Sequence, residues 1–382
     1  MSNEISVLRP GLEDVPVAES SVSFIDGKRA RLEYRGIAVE QLAKESCFEE
    51  TAWLLLKGDL PSQQQLLDFD NELRLHRRLK YKLIDLIKCL PEQGHPMGAL
   101  QASVAAMSMF YPARAVSDEQ SNWISAIRIL AKMPSIVAAY HRLRRGDEAI
   151  PPRDDLDYAA NFYWMLFERL PSPATRRVID ACLILHAEHT MNASTFSGRV
   201  TGSTLADPYT VISSAIGTLT GPLHGGANEE VTTMLEEIGS PKQAKSWLEQ
   251  AVASKRKIMG FGHRVYKVKD PRATVLQELA EELFAESGRP ATYDTALALE
   301  KAAVDILGPK GIYPNVDFFS GIVYTALGIP TDLFTPIFAI ARASGWLAHW
   351  MEQLKNNRIY RPEQIYVGKR DLSYVPIEKR TS

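Results

Sequence analysis

The chain has 382 residues, with 44 lysines and arginines against 46 aspartates and glutamates, so its formal net charge is −2. Because 45% of the residues are hydrophobic, the composition excludes a disordered protein and is typical of a chain with a large core. The absence of a basic excess argues against a nucleic-acid partner. No apolar run reaches the ~18 residues needed to cross a membrane, so we expect no membrane partner either.

The N-terminal residues lack the basic and apolar regions of a secretory signal. The three cysteines, Cys47, Cys89 and Cys182, are far apart and odd in number. We therefore expect buried free thiols and a cytoplasmic location.

Residues 21–36 alternate apolar and polar side chains around Asp26-Gly27, which predicts a β-hairpin. Beyond it, apolar residues recur at helical spacing almost throughout. The predicted helices cover residues 48–57, 97–110, 120–133, 155–168, 174–187, 227–238, 241–254, 272–286, 292–306 and 332–351, and Ser62 is the predicted N-cap of one more. Strands do not alternate with helices, so the predicted fold class is all-α with a small N-terminal β-hairpin.

His224 lies in a glycine-rich segment, residues 221–228, just before a helix predicted to begin near Ala227. Glycine lets a ligand approach the backbone closely, and the positive end of a helix favours the neutral form of an imidazole. A neutral imidazole can donate a hydrogen bond to a developing oxyanion. A glycine-rich turn with a capping histidine is the alternative, and the residues alone leave both open.

His263 follows Gly262 and precedes a basic run that extends to Arg272, with three more basic residues at 255–257. Such a cluster indicates either an anion site for carboxylates or phosphates, or a solvated basic surface. The spacing of the glycines fits neither a P-loop nor a dinucleotide-binding loop.

Two charged residues stand among apolar neighbours. Asp317 interrupts the apolar segment 316–319; burial would raise its pKa, which suits a general base, and a helix N-cap is the alternative role. Arg342 lies inside the predicted helix 332–351 among small and apolar residues. Its guanidinium needs an anionic partner, either a structural carboxylate or a substrate.

His186 and His189 stand three residues apart near a predicted helix end. They do not form a zinc motif, and no third ligand is close in sequence. We therefore expect no metal, and a metal-dependent hydrolase that EDTA would inactivate is the weaker hypothesis.

Five segments together resemble the citrate synthase family, in order and over nearly the whole chain. They are residues 23–36, 188–195, 221–228, 260–272 and 315–317. The segment 260–272 is similar to the family signature in full, 221–228 to its second histidine loop, and 315–317 to its catalytic aspartate segment. Residues 188–195 resemble the end of its oxaloacetate-binding helix.

The resemblance implies a large helical domain, residues 1–224 with 323–382, and a small helical domain, residues 225–322. The active site would lie in the cleft between them, which closes on substrate. The resemblance also implies a homodimer at minimum, with a hexamer or larger assembly left open, and no metal or redox cofactor.

The implied reaction condenses acetyl-CoA, oxaloacetate and water to citrate and CoA, an acyl transfer of the tricarboxylic acid cycle. By resemblance, Asp317 removes the methyl proton, His224 donates to the thioester oxygen and His263 protonates the oxaloacetate carbonyl. The implied oxaloacetate ligands are His189, Arg272, Arg342 and Arg361, the last of them reaching the site of the partner subunit. A scaffold that had lost activity would be expected to lack one of the three catalytic residues, and all three are present.

The implied CoA ligands are Lys257, Met259, Gly260, Phe261, Gly262 and Asn315. The basic side chains near Lys257 would meet the phosphates, and the backbone of residues 259–262 would meet the adenine. The close relative 2-methylcitrate synthase shares every motif but uses propionyl-CoA. One methylene changes transition-state binding by only ~1–3 kcal/mol, so the sequence leaves this alternative open.

Overall fold

The computed structural model describes residues 8–112, 115–263 and 265–380. Helix accounts for 61% of the structure and strand for 3%, which confirms the all-α fold class. The helices found in these ranges are α1 (Val39–Glu45), α2 (Phe48–Lys57), α3 (Gln63–His76), α4 (Tyr81–Lys88), α5 (Pro96–Phe110), α6 (Glu119–Leu143), α7 (Tyr158–Phe167), α8 (Pro173–His186), α9 (Ala193–Ser203), α10 (Pro208–Leu219), α11 (Ala227–Ile238), α12 (Ala244–Ala253), α13 (Pro271–Ser287), α14 (Ala291–Leu307), α15 (Val316–Ala326) and α16 (Phe334–Leu354).

The N-terminal hairpin is part of a three-stranded antiparallel sheet. Its strands are β1 (Ser23–Asp26), β2 (Arg31–Tyr34) and β3 (Ile37–Ala38), in that order. In the β1–β2 turn, the Asp26 carboxylate accepts the backbone N–H groups of Lys28 and Arg29 at 3.0 and 3.1 Å. The predicted hairpin is therefore confirmed. The third strand was not predicted because its two residues are too few to show an alternation of apolar and polar side chains.

Two long helices form the centre of the core. Nearly every residue of α16 is buried, including Trp346 and Trp350, and α6 is buried over most of its second half. The predicted helix 120–133 ended before Pro134, yet α6 continues through this proline to Leu143. Proline removes one backbone donor and disfavours a helix interior, but here the buried packing on both sides of Pro134 outweighs that cost.

Helix α3 begins as the sequence predicts. The Ser62 hydroxyl accepts the N–H of Gln65 at 3.3 Å, and the Gln65 side chain accepts the N–H of Ser62 at 2.8 Å. This reciprocal pair is a capping box, which satisfies two backbone donors at the helix start.

Helices α11 to α14 and the first turns of α15 come from the segment predicted to form a small domain. Within it, α12 packs on α14, and α11 and α13 pack on α15. The segment is joined to the rest of the chain by α13 against α8 and by α11 against α16. The division at residues 225 and 322 stays a prediction.

None of the helices in the described residues is long and apolar enough to cross a bilayer. The three thiols are free, but they differ in exposure: Cys182 is buried, Cys47 is half-buried and Cys89 is exposed. The expectation of three buried thiols is therefore wrong for Cys89, which follows the last turn of the short amphipathic helix α4.

Candidate active site

The loop that carries His263 is fixed against the start of α15 by backbone hydrogen bonds. The N–H of Gly262 donates to the carbonyl of Tyr313 at 2.8 Å, and the N–H of Asn315 donates to the carbonyl of Gly260 at 2.9 Å. Segments that are far apart in sequence are thereby joined in one rigid unit.

Gly260 makes this close approach possible. Its φ is +75°, and a Cβ there would lie 2.8 Å from Val231 Cγ2 and 2.9 Å from Phe318 Cα. A side chain would therefore both strain the backbone and push α15 away from the loop.

The other side of the same loop touches the N-terminal sheet. The N–H of Lys267 donates to the carbonyl of Gly27 at 3.1 Å. Gly27 lies so close to the carbonyl of Val265 that a Cβ would overlap it. The β1–β2 turn therefore forms one wall behind the His263 loop.

The tautomer of His263 is set by its backbone contacts. Its Nδ1 lies 3.0 and 3.2 Å from the N–H groups of Val265 and Tyr266, which can only donate. Nδ1 is therefore the acceptor and Nε2 carries the proton. Burial, reinforced by the positive charge of Arg272, lowers the pKa of His263 to about 4, so the ring is neutral near pH 7.

His224 is held in a similar way through its other nitrogen. The N–H of Ser194 donates to His224 Nε2 at 3.3 Å, and the Ser194 hydroxyl lies 2.8 Å from the same atom. The proton of the neutral ring is therefore on Nδ1. Burial, with Arg342 as the second cause, lowers the pKa of His224 to about 4. The neutral ring that the sequence predicted is thus present. Its causes are burial and the nearby Arg342, whereas the prediction named the dipole of α11.

Asp317 is the second residue of α15, and the N-cap of that helix is Asn315. The Asn315 side-chain oxygen accepts the N–H of Asp317 at 3.0 Å, so the alternative of an N-cap aspartate is wrong. The Asp317 carboxylate makes no hydrogen bond or ion pair with the residues that the structure describes. Burial raises its pKa to about 6, although Arg272 opposes the shift.

Arg272 is buried together with a counter-ion. Its guanidinium donates to both carboxylate oxygens of Asp270, at 3.0 and 2.7 Å, and the two side chains are 3% and 1% exposed. Asp270 also accepts the N–H of Arg272 as the N-cap of α13. The pair leaves Nη1, the third guanidinium nitrogen, for another ligand.

Arg342 differs from Arg272 because no carboxylate lies within 4.0 Å of it among the described residues. Its Nε donates to the carbonyl of His186 at 2.6 Å, and its guanidinium lies over the Phe338 ring at 4.5 Å. The residue is only 1% exposed, and burial lowers its pKa to about 10. A buried cation without an ion pair is costly unless an anion binds it.

His189 is a neutral member of the same cluster, close to both buried arginines. Its ring lies 5.0 Å from that of His263 and 5.7 Å from that of Tyr266, measured between centroids. Its Nε2 is buried without a hydrogen-bond partner. Burial, with Arg272 as the next cause, holds the pKa of His189 well below its usual range.

His186 lies near the same two arginines, and its Nε2 is likewise buried without a partner. Its Nδ1 lies 2.7 Å from the Cys182 carbonyl and its ring packs on Phe338. Among the described residues, no group of three or more His, Cys, Asp or Glu side chains is arranged to hold a metal ion.

Two of the predicted ligands, Arg361 and Lys257, are exposed and lie outside the cluster of histidines and buried arginines. Arg361 is exposed on the segment after α16, where its Nη1 donates to the Pro362 carbonyl at 3.4 Å, and it lines a groove with Phe196 and Arg199. Within one chain the structure does not bring Arg361 to the histidines. Lys257 is exposed near the His263 loop.

Four predicted CoA ligands, residues 259–262, belong to the loop itself, and Asn315 is bonded to it. Met259 is half-buried and Phe261 packs on Phe318 with ring centroids 4.7 Å apart. The Asn315 side chain donates to the Gly262 carbonyl at 3.0 Å. Arg256 is already bound to both carboxylate oxygens of Glu237 at 2.6 Å, so among the basic residues 255–257 it is the least available to a phosphate.

The sequence interpretation gave no role to Ser194 or Asp270, although both orient predicted site residues. Asp270 stands before Pro271, and Asp-Pro is a recognisable helix start. Ser194 lies in the segment 188–195 that was singled out, but no local pattern marks a serine that contacts a histidine thirty positions away.

Comparison with known proteins agrees with this geometry. The family described as "Citrate synthase, C-terminal domain" matches residues 11–363. The citrate synthase of Synechocystis sp. is 58% identical over 380 residues, covering 100% of this chain and 96% of its own. The chain belongs to the citrate synthase family. Enzymes of this family are acyltransferases that condense acetyl-CoA with oxaloacetate.

Other members agree in sequence and in structure. The citrate synthase of Acidithiobacillus ferridurans is 52% identical, covering 97% of this chain and 98% of its own. The crystal structure of citrate synthase from Pyrobaculum aerophilum has a TM-score of 0.91 at 42% identity, covering 97% and 95% of the two chains. The enzyme of Thermoplasma acidophilum, in ternary complex with carboxymethyl coenzyme A and oxaloacetate, has a TM-score of 0.93 at 34% identity, covering 98% and 100%.

Proposed function

We propose that this chain condenses acetyl-CoA with oxaloacetate and water to give citrate and CoA. The observation that carries the proposal is the set of unsatisfied groups in one cluster: the Asp317 carboxylate, the His189 Nε2 and the guanidinium of Arg342 without an ion pair. A dicarboxylate substrate supplies acceptors for Arg342 and His189, and it leaves the Asp317 carboxylate free to take a proton. The structural neighbour with a CoA compound and oxaloacetate bound supports the same reading.

In this proposal Asp317 is the base that removes a proton from the acetyl methyl group. A thioester methyl is a very weak acid, so the enolate oxygen must be stabilised as the proton leaves. His224 serves that purpose, because its Nε2 is occupied by Ser194 and its Nδ1–H is left to donate to the thioester oxygen.

His263 acts on the second substrate. Its Nδ1 accepts from the backbone, so Nε2–H is the group that polarises and protonates the oxaloacetate carbonyl as the carbon–carbon bond forms. Hydrolysis of the citryl-CoA thioester then releases the products. The mechanism requires no metal or redox cofactor.

The substrate carboxylates would be bound by Arg342, by Nη1 of Arg272 and by His189. Planar guanidinium groups suit carboxylates because they donate two parallel hydrogen bonds. Arg361 would come from the second subunit of a homodimer, which explains why it lies outside the cluster of its own chain. Closure of the segment 225–322 over the rest would complete the site. The CoA assignments and the cytoplasmic location are part of the same proposal.

The decisive experiment compares kcat/KM for acetyl-CoA and propionyl-CoA, each with saturating oxaloacetate. Citrate synthase activity predicts a preference for acetyl-CoA. A preference for propionyl-CoA would instead identify a 2-methylcitrate synthase, and absence of both products would reject the proposal.

The shared site can be tested by complementation between two inactive variants. Arg361→Ala and His263→Ala are mixed under conditions that exchange subunits. A heterodimer then has one site with both defects and one intact site, so random pairing should restore about a quarter of wild-type activity, given the stoichiometry of a site built from both subunits. If exchange is demonstrated and the mixture stays inactive, Arg361 acts within its own chain. An exposed arginine in a plain surface ion pair would contribute only ~0–1 kcal/mol and its loss would cost little activity.

A further inference from the structure

The loop that carries His224 is held by a second set of residues on the side away from Ser194. The buried Thr335, near the start of α16, places its hydroxyl against the carboxylate of Glu229 and 3.3 Å from the carbonyl of Gly225. Gly225 is the residue directly after His224. Behind it, Leu219 lies so close that a Cβ on Gly225 would overlap its carbonyl.

Glu229 is bound from a second element as well. His95, the N-cap of α5, accepts the N–H of Met97 with its Nδ1 at 3.2 Å, so its Nε2 carries a proton. That Nε2 lies 3.3 Å from the Glu229 carboxylate. Burial would raise the pKa of Glu229, but the bonds from His95 and Thr335 lower it, so the carboxylate is ionised and accepts from both.

We propose that Thr335, Glu229 and His95 form a clamp that positions His224 for catalysis. Glu229 lies in the first turn of α11. The single hydroxyl proton of Thr335 faces two acceptors, so the contact with the Gly225 carbonyl is the longer branch of a shared hydrogen bond. Among the described hydrogen bonds, it is the one that joins the loop 221–226 to α16. The clamp joins the three elements that meet at this loop: α5, α11 and α16. It fixes the backbone on one side of the imidazole, while Ser194 fixes the ring on the other.

The clamp residues are positioning residues, since none of them contacts the expected place of the reacting atoms. The inference rests on the proposed function, because it concerns how His224 stabilises the enolate oxygen. Loss of the clamp should therefore slow proton removal from acetyl-CoA and leave oxaloacetate binding intact. Arg342, the oxaloacetate ligand on the same helix, lies about two turns farther along α16 and is held by the His186 carbonyl.

The test is a matched pair at one position. Thr335→Val keeps the shape and removes the hydroxyl, whereas Thr335→Ser keeps the hydroxyl. We expect Thr335→Val to lower kcat by about 10- to 100-fold, the range that a displacement of about 1 Å can cost, with the KM for oxaloacetate changed by less than about twofold. Thr335→Ser should restore most of kcat.

Exchange of the acetyl-CoA methyl protons with solvent measures the proton-removal step separately from condensation. Malate lacks the ketone and cannot condense, so exchange of the acetyl-CoA methyl protons with solvent deuterium in its presence reports proton removal alone. This exchange should fall in Thr335→Val in parallel with kcat. An equal rise in the KM for oxaloacetate, or unchanged exchange, would show a merely structural role and overturn the inference.

A second variant covers the case in which Thr335→Val fails to fold. His95 is 43% exposed, and His95→Asn keeps a good N-cap while being too short to reach Glu229. We expect it to lower kcat about three- to tenfold, the range of an ordinary hydrogen bond, because solvent around the partly exposed His95 weakens its bond to Glu229. Wild-type kcat in a folded His95→Asn protein would overturn the clamp. A wild-type chain that forms neither citrate nor 2-methylcitrate would reject the proposed function itself.

Discussion

Two buried regions of the molecule hold ionisable side chains, and they satisfy them differently. In the helical core, Glu49 accepts the N–H of Tyr158 at 2.8 Å, and Asp180 accepts the N–H of Phe48 at 2.9 Å. These donors lie at the starts of α7 and α2, where backbone N–H groups lack partners within the helix. These two carboxyl groups are thus occupied by the fold.

Around the site histidines the corresponding groups are left open. No described residue donates to the Asp317 carboxylate, the His189 Nε2 is buried without a partner, and Arg342 has no ion pair. The two regions thus differ in what their ionisable groups do. The two core carboxyl groups accept backbone N–H groups and stabilise the architecture, whereas the three groups of the site are available to a ligand.

The largest expected effect is at Asp317. Asp317→Asn preserves the shape but removes the proton acceptor, so kcat should fall by about 10²- to 10⁴-fold, the usual contribution of a general base. Stability should not fall, because the carboxylate satisfies no group of the fold. Steady-state kinetics with thermal unfolding test both statements, and near-wild-type turnover would remove Asp317 from the mechanism.

The two buried arginines should respond in opposite ways. Arg342→Gln should raise the KM for oxaloacetate by about 10- to 100-fold, since a charge-assisted hydrogen bond contributes ~1.5–3 kcal/mol, and it should cost little stability. Arg272→Gln leaves Asp270 buried without its partner and should destabilise the fold by ~3–5 kcal/mol. Denaturant unfolding of both variants distinguishes them, and equal destabilisation would contradict the comparison.

The pH dependence of catalysis should report Asp317. Its pKa is raised to about 6, and the base acts only when ionised, so kcat/KM for acetyl-CoA should fall about tenfold per pH unit below pH 6 and level off above it. His224 and His263 have pKa values lowered to about 4 and are neutral across this range. A profile that stays flat down to pH 5 would show that burial does not shift this carboxyl.

The smallest effect on activity is expected in the core. Burial, with Glu49 as the next cause, raises the pKa of Asp180, so the folded chain holds a proton that the unfolded chain releases above about pH 4. The stability that this proton provides is present at low pH and is lost as the pH rises through the raised pKa. Asp180→Asn can still accept the N–H of Phe48, but it has no proton to lose. Between pH 5 and 9 its free energy of unfolding should therefore fall less than that of the wild-type protein.

At pH 9 the free energy of unfolding of Asp180→Asn should exceed that of the wild type by ~1 kcal/mol or more. Each pH unit over which the folded and unfolded chains bind unequal numbers of protons changes it by ~1.4 kcal/mol. Turnover should stay unchanged. Asp207→Asn is the matched control, because Asp207 also caps a helix, α10, but at a partly exposed position. Equal effects in the two variants would show that burial of Asp180 is not the cause.

The helices that the sequence predicts best are those with one apolar face. Helices α2 and α11 match their predicted ranges, 48–57 and 227–238. Helix α15 was missed because it is buried on nearly all sides and its residues show no alternation of apolar and polar faces. Helices α9 and α10 were missed because small residues replace large ones at their contact: Gly198 of α9 lies against Ala215 of α10, where a Cβ would come within 3.7 Å of the alanine Cβ.

The site divides in the same way. Asp317 and His224 could be singled out because an acid among apolar residues and an imidazole among glycines are visible in the sequence. The residues that hold them could not be singled out. The contact between Ser194 and His224, for example, depends on how α9 packs against the loop before α11. The tautomers of the histidines likewise depend on backbone donors that only the fold brings within reach.

The contact between Gly27 and the His263 loop gives the short N-terminal sheet a role in setting distances. The turn fits against the Val265 carbonyl with no room for even one carbon, and it is hydrogen-bonded to Lys267. The hairpin therefore limits how far residues 265–267 can move toward β1 and β2. The position of the loop that follows His263 is thus set partly by a turn that holds none of the predicted catalytic residues.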